Sequence, residues 1–387
     1  MNASSDPFKP DWDLFCRVVD NFGDIGVCWR LARDVAAHHG LRVRLWIDDW
    51  AAFVRLCPAA ESAPGRVVVQ GVEVRRWRTA WPAVKPAGVV IEAFACELPE
   101  AYVAAMAARQ PRPVWINLEY LSAESWVSEC HRLASPHPRL PLMKYFFFPG
   151  FAADTGGLLR EPDLLAARDH LQSKLEVRAA WLAAAGIGPV PGEACLISLF
   201  SYEQPALDAL LAAWTASPRP VWLLVPQGRV VPQLAAFFGE RDAAVGQHYV
   251  RGTLTATVLP FLSQDDYDRL LWACDVNFVR GEDSFVRAQW AARPFVWHIY
   301  AQQNDAHRVK LEAFLERYVA ALDGTAADAV RGWWRAWNGA GEVAGNWAAF
   351  AAALPRLRTH ARHWADALAA APDLATSLVH FCAEKVK

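Results

Sequence analysis

Short runs of β-branched and aromatic residues alternate with stretches of helical apolar spacing along the N-terminal half of the chain. The runs fall at residues 14–19, 43–47, 72–77, 89–94, 114–118 and 145–148, and a helix is expected from about Ile25 to His39. Apolar runs separated by crossover helices imply a parallel sheet. Between Gly150 and Pro191 the strands stop: residues 162–185 read as helix ending at Gly186, with Gly188, Pro189, Pro191 and Gly192 beyond it. Glycine and proline just past a helical stretch are stop signals. A domain boundary is expected there, with a first Rossmann-like domain at residues 1–185 and a second at 186–387.

The same rhythm restarts at residues 195–200, 221–225, 255–259, 276–279 and 295–299. A helix is expected at about 206–216, a further apolar segment lies at 267–273, and another helix opens near Ser284. From Asp305 onward the chain reads as almost wholly helical, so its last helices should finish the second domain and return to brace the first. The fold class is therefore α/β, built as two successive Rossmann-like domains. In open parallel sheets ligands bind beyond the carboxyl ends of the strands, so two such domains facing each other would place both binding edges on one cleft. Polar residues just after strands are the candidates for chemistry.

Composition acts on this picture mainly by exclusion. A chain of 387 residues exceeds what one hydrophobic core organises, which supports two domains. The hydrophobic fraction of 54% comes without an apolar run near the roughly 20 residues a bilayer crossing needs. The opening residues 1–13 are polar and acidic and lack the pattern of a secretion signal, so a cytoplasmic protein with no membrane partner is expected. Thirty-nine basic residues nearly balance forty-one acidic ones, which removes any general electrostatic drive toward nucleic acid. The eight cysteines are scattered with no C-x-x-C pair, which argues against a zinc ribbon or a disulfide framework.

Three constellations carry candidate chemistry. The first strand runs into Asp20-Asn21-Phe22-Gly23-Asp24-Ile25-Gly26, placing two carboxylates between a strand end and a helix start. Asp24 fits a helix cap as well as a functional role. Asp20, expected at the last position of the strand, stands where a general base would meet an incoming nucleophile. The glycines form neither G-x-G-x-x-G nor a Walker A loop. The second constellation is Arg280-Gly281-Glu282-Asp283-Ser284, a strand passing through a glycine turn into a helix capped by Asp283 or Ser284. A helix start beside a guanidinium suits a diphosphate, and an ordinary cap with Arg280 paired to Glu282 is the plain alternative. In the third, Phe200 and Tyr202 follow the first strand of the second domain while Phe261 and Gln264 follow another. The two phenyl rings could clamp a flat base whose edge Gln264 reads, although aromatics at such positions are often core. His360 and His363 have helical i, i+3 spacing but no third metal ligand, and a solvated helix face is expected for them.

Across residues 15–33 and again at residues 280–284, the sequence closely resembles the elongation factor P arginine rhamnosyltransferases, the EarP family. The likeness continues through Ser198-Leu199-Phe200-Ser201-Tyr202-Glu203 and residues 259–266 and extends over nearly the whole chain. The resemblance implies a GT-B glycosyltransferase whose C-terminal domain holds dTDP-β-L-rhamnose and whose N-terminal domain receives elongation factor P. It implies Asp20 as base, with Asp24 and Glu282 supporting acceptor or sugar placement and Asn21, Phe22 and Gly23 among the substrate-binding residues. It further implies a sugar-diphosphate pocket of Arg280, Asp283 and Ser284, a thymine clamp of Phe200 and Phe261, and a lining of Tyr202, Gln264 and Tyr300. No cofactor and no metal are expected. A GT-B enzyme with another acceptor and a nucleotide-sugar-binding protein without catalysis are the competing readings.

Overall fold

The computed structural model describes residues 9–19, 22–78, 81–301 and 305–386. The chain forms two compact units, Met1–Pro162 with Ala369–Lys387, and Asp163–Leu368.

The first unit is built on an eight-stranded sheet. Its strands are β1 (Trp12–Cys16), β2 (Val43–Ile47), β3 (Arg66–Val69), β4 (Val72–Arg76), β5 (Val89–Ala93), β6 (Val114–Leu118), β7 (Ala134–Pro136) and β8 (Met143–Phe147). They lie in the order β3-β4-β2-β1-β5-β6-β8-β7. The inner six run parallel, and the edge strands β3 and β7 close the sheet as antiparallel hairpins with β4 and β8. All five residues of β1 are buried, as a parallel strand covered on both faces requires. Leu14 and Cys16 face a core that includes Ile25 and Trp29 of helix α1 (Gly23–His39), together with Leu374 and Phe381. Phe15 faces the opposite core with Trp46, Tyr102, Met106 and Trp115. The fully buried Asp13 carboxylate accepts from Arg44 Nε at 2.6 Å, Arg44 Nη2 at 2.8 Å, Trp46 Nε1 at 3.1 Å and the Ala87 amide at 2.9 Å. A charge removed from water survives only with such a set of donors.

Strand β1 stops three residues earlier than its apolar run suggests. The Val18 N–H donates to Asp48 at 2.9 Å and the Val19 N–H to Asp24 at 2.7 Å, so the backbone leaves the ladder for side-chain acceptors. The strand ends at Cys16, and the expected place of Asp20 lies outside the described residues.

The expected helix at 162–185 is broken into α5 (Leu164–Ser173) and α6 (Leu175–Ala184), because Lys174 adopts an extended conformation. Both belong to the second unit. Arg168 donates to the Trp290 carbonyl at 3.0 Å, Gln172 to the Ala291 carbonyl at 2.8 Å, and Arg178 to the Ala273 carbonyl at 2.7 Å. These donors satisfy orphan carbonyls at the ends of two helices of that unit.

The second unit carries strands β9 (Cys195–Leu199), β10 (Val221–Pro226), β11 (His248–Arg251), β12 (Leu254–Leu259), β13 (Val276–Arg280) and β14 (Phe295–His298), in the order β11-β12-β10-β9-β13-β14. Helices α9 (Gln264–Ala273) and α10 (Asp283–Ala291) flank it, and α11 (Ala306–Val319), α12 (Gly324–Trp337) and α13 (Val343–Ala369) complete the helical tail. Trp333, Trp334 and Trp337 of α12 are all fully buried. His360 is also buried, its ring centroid 4.7 Å from that of Tyr318 in an edge-on contact. The solvated face expected for His360 is thus incorrect: aromatic contacts on α11 cover it. The final helix α14 (Leu374–Lys385) contributes Leu374, Leu378 and Phe381 to the core of the first unit. Among the described residues no helix is long and apolar enough to cross a membrane.

Candidate functional site

In each sheet the strand order reverses around the unit's first strand, with β2 and β5 flanking β1 and β10 and β13 flanking β9. Such switch points open a crevice beyond the carboxyl ends of the strands, because successive crossovers leave on opposite sides. The candidate residues follow β1 in the first unit and β9 and β13 in the second.

In the first unit Asp20 and Asn21 lie outside the described residues. Phe22 occupies the N-cap position of α1 without a side-chain capping bond, Gly23 opens the helix, and Asp24 is in its first turn, where the helix dipole favours a carboxylate. The Asp24 carboxylate is buried and accepts the Val19 N–H at 2.7 Å.

In the second unit the residues converge closely. Register pairs Arg280 of β13 with His298 of β14, and the Phe200 N–H donates to the Phe278 carbonyl at 3.0 Å, bringing both strand ends level. The Arg280 guanidinium lies 4.5 Å from the Phe200 ring centroid and 4.6 Å from that of Tyr202. It is a buried cation over two aromatic rings, each such contact worth about 0.5–2 kcal/mol. Tyr202 meets Tyr300 edge-on at 5.6 Å, and Tyr300 is exposed.

Gly281 then turns the chain at φ +62°, a left-handed conformation that other residues adopt with strain. Its carbonyl accepts from Trp297 Nε1 at 2.9 Å. Glu282 takes the N-cap position of α10 with no side-chain capping bond, so neither Asp283 nor Ser284 is the cap. Ser284 Oγ instead accepts the Arg280 N–H at 3.0 Å and donates to the Arg280 carbonyl, stapling the turn shut. Gln264 Nε2 reaches Asp283 at 3.5 Å. Phe261 is half-buried in the segment between β12 and α9.

The structure thus groups Phe200, Tyr202, Arg280, Ser284 and Tyr300, with Gln264 joined to Asp283 beside them. One face of Phe200 is committed to the guanidinium, so stacking of a flat base there uses the other. Three neighbours were not legible as site residues. Tyr267 lies 5.5 Å from Phe200, and burial pushes the pKa of its hydroxyl up. Ser201 Oγ is 2.8 Å from His298 Nδ1. Burial, reinforced by Arg280, lowers the His298 pKa to about 4. In the sequence His298 lies inside the apolar run 295–299, and only the structure shows that it ends a parallel strand beside Arg280.

A separate cavity of about 720 Å³ in the first unit is lined by Glu92, Trp115, His137 and Lys144. It contains none of these candidates, and its Glu92 carboxylate is already paired with Lys144 at 2.8 Å. What the second unit offers is a rigid guanidinium at a helix start, an arrangement suited to an anionic group such as a diphosphate.

The family model for the elongation factor P (EF-P) rhamnosyltransferase EarP matches residues 12–383. A protein-arginine rhamnosyltransferase of Pseudomonas putida is 56% identical over 373 residues, 96% of this chain and 98% of that protein. One from Pseudomonas aeruginosa is 52% identical over 373 residues, covering 96% and 99%. A solved structure described as the structural basis for EarP-mediated arginine glycosylation of translation elongation factor EF-P aligns with TM-score 0.69 at 43% identity, over 96% of this chain and 98% of that one. MurG from Acinetobacter baumannii aligns with TM-score 0.50 at 11% identity, over 97% and 100%, a likeness of fold alone. Matched over nearly its whole length and more than half identical to these relatives, the chain belongs to the EarP family and is a glycosyltransferase of the GT-B fold.

Proposed function

We propose that the protein transfers L-rhamnose from dTDP-β-L-rhamnose to an arginine side chain of elongation factor P, inverting the anomeric carbon in a single displacement. The observation that carries this reading is the buried Arg280 guanidinium over the Phe200 and Tyr202 rings at the start of α10, in a chain whose relatives are named protein-arginine rhamnosyltransferases.

In this account a guanidine nitrogen of the acceptor attacks the anomeric carbon, the bond to the diphosphate oxygen breaks, and dTDP leaves with the electron pair. A free guanidinium has a pKa above about 12 and no lone pair to give. The carboxylate of Asp20 therefore orients it and accepts its proton as the C–N bond forms. Asp24, which accepts the Val19 N–H, and Glu282 support placement of the acceptor or the sugar. Charge that develops on the leaving diphosphate meets Arg280 and the positive end of the α10 dipole, with Asp283 and Ser284 in its first turn. Phe200 and Phe261 sandwich the thymine, and Tyr202, Gln264 and Tyr300 line its pocket. The diphosphate is held by protein groups, so no metal is required.

Release of dTDP tests the proposal. It should depend on added elongation factor P and stop when the accessible arginines of that factor are consumed. Release that ignores the factor, or that needs a sugar or lipid acceptor instead, would overturn the acceptor assignment.

A further inference from the structure

Ser201 and His298 are both held at the carboxyl edge of the second sheet, and no role in the reaction has yet been given to either. The Ser201 hydroxyl has one proton and two close partners, the Tyr202 carbonyl at 2.9 Å and His298 Nδ1 at 2.8 Å. Both contacts are satisfied together only when the hydroxyl donates to the carbonyl and the imidazole Nδ1–H donates to the hydroxyl, since a serine has a single O–H and a neutral imidazole a single N–H. His298 is pinned in that orientation from three sides. It is the register partner of Arg280, its ring lies edge-on to Tyr202 at 5.3 Å, and Trp337 of α12 packs 6.0 Å away. Directly beyond, Asn338 clamps the strand, accepting from the Ile299 N–H at 3.1 Å and donating to the Trp297 carbonyl at 2.8 Å.

We propose that His298 and Ser201 are positioning residues for the anion site: the chain of bonds from His298 Nδ1 through Ser201 Oγ to the Tyr202 carbonyl fixes the backbone at residues 201 and 202, and thereby keeps the Tyr202 ring on the Arg280 guanidinium. The inference rests on the reading of this edge as the nucleotide-diphosphate site. Its physical content is that Arg280 receives one of its two aromatic walls from a loop residue, and a loop side chain is as precise as the bonds that hold its backbone. Ser201 is 1% exposed, so its hydroxyl is spent on this chain and not on solvent.

The experiment is titration of the full-length enzyme and its variants with dTDP, together with steady-state kinetics on the donor. Ser201→Ala and His298→Ala should each weaken dTDP binding and raise the donor KM by about tenfold while leaving kcat within about threefold, because the lost interaction acts on binding. The double variant should be no weaker than either single one, as expected for two members of one chain of bonds. His298→Asn, whose side-chain N–H replaces Nδ1–H, should recover binding to within about threefold, and His298→Gln should not. Ser201→Ala barely changes volume and keeps the test open if His298→Ala fails to fold. Unchanged dTDP binding in both single variants, additive losses in the double variant, or rescue by Gln in place of Asn would overturn the proposal. A wild-type enzyme that binds no dTDP would instead overturn the underlying reading of the site, and this inference with it.

Discussion

The Arg280 guanidinium lies over two rings, 4.5 Å from the Phe200 centroid and 4.6 Å from that of Tyr202. Lysine can match the charge but neither the planar contact with the rings nor the fork of donors. Arg280→Lys is therefore expected to raise the donor KM by about tenfold or more, read from initial rates against donor concentration, and an unchanged KM would contradict the assignment. Asp20→Asn is expected to lower kcat by about a hundredfold or more with dTDP affinity intact, and a variant that keeps most of its turnover would remove Asp20 as base. His298 gives a pH dependence with a definite sign. Burial and the Arg280 charge hold its pKa at about 4, against 6.5 in the unfolded chain, and Ser201, Tyr202 and Trp337 face it without adding a charge. Above pH 6.5 the imidazole is neutral in both states and contributes nothing. As pH falls from 6.5 toward 4 the unfolded chain takes a proton that the folded one refuses, so stability drops by roughly 3 kcal/mol and then levels off. Denaturant unfolding at pH 7 and at pH 4.5 should show a smaller drop for His298→Asn than for wild type, and identical drops would refute the assignment. Arg280, Ser284, Phe200 and Tyr202 were legible in the sequence because each follows an apolar run. His298 was hidden inside the run 295–299, where nothing distinguishes a strand's last residue from its interior.

Elements were legible where burial alone defines them. The strands Val43–Ile47 and Val114–Leu118 fall at the expected bounds because both faces are covered and the apolar run is the strand. Bounds slipped where side chains compete for backbone groups, as at β1, whose exit is drawn off by Asp48 and Asp24. The short edge strand β7 is wholly exposed and carries no apolar run, while the three valines of β3 alternate between exposed and half-buried positions and are not among the expected runs. The turn between β13 and α10 was read correctly as a glycine turn but with the wrong cap, because Ser284 bonds backward to Arg280. That turn yields its own prediction. Alanine at Gly281 must hold φ near +62° at a cost of about 1–2 kcal/mol or let the turn shift. Gly281→Ala should therefore lower the melting temperature and raise the donor KM together, whereas loss of stability with unaltered donor binding would separate the turn from the site.

For the molecule as a whole, the two α/β units and the return of α14 to the first unit follow from a strand rhythm that appears twice and a helical tail that ends in apolar spacing. The acceptor was not legible from residue physics: neither a guanidinium-binding geometry nor a protein-docking surface can be read from composition or periodicity, and it enters through kinship with the relatives. Donor recognition by protein groups predicts that a chelator leaves turnover unchanged, and loss of activity restored by magnesium would contradict it. The most direct measurement is fragment mass spectrometry of elongation factor P after incubation with the enzyme and dTDP-β-L-rhamnose. The account predicts one added rhamnosyl unit carried on an arginine side chain. An unmodified factor in the presence of enzyme shown to bind dTDP, or the sugar found on any other residue, would contradict it.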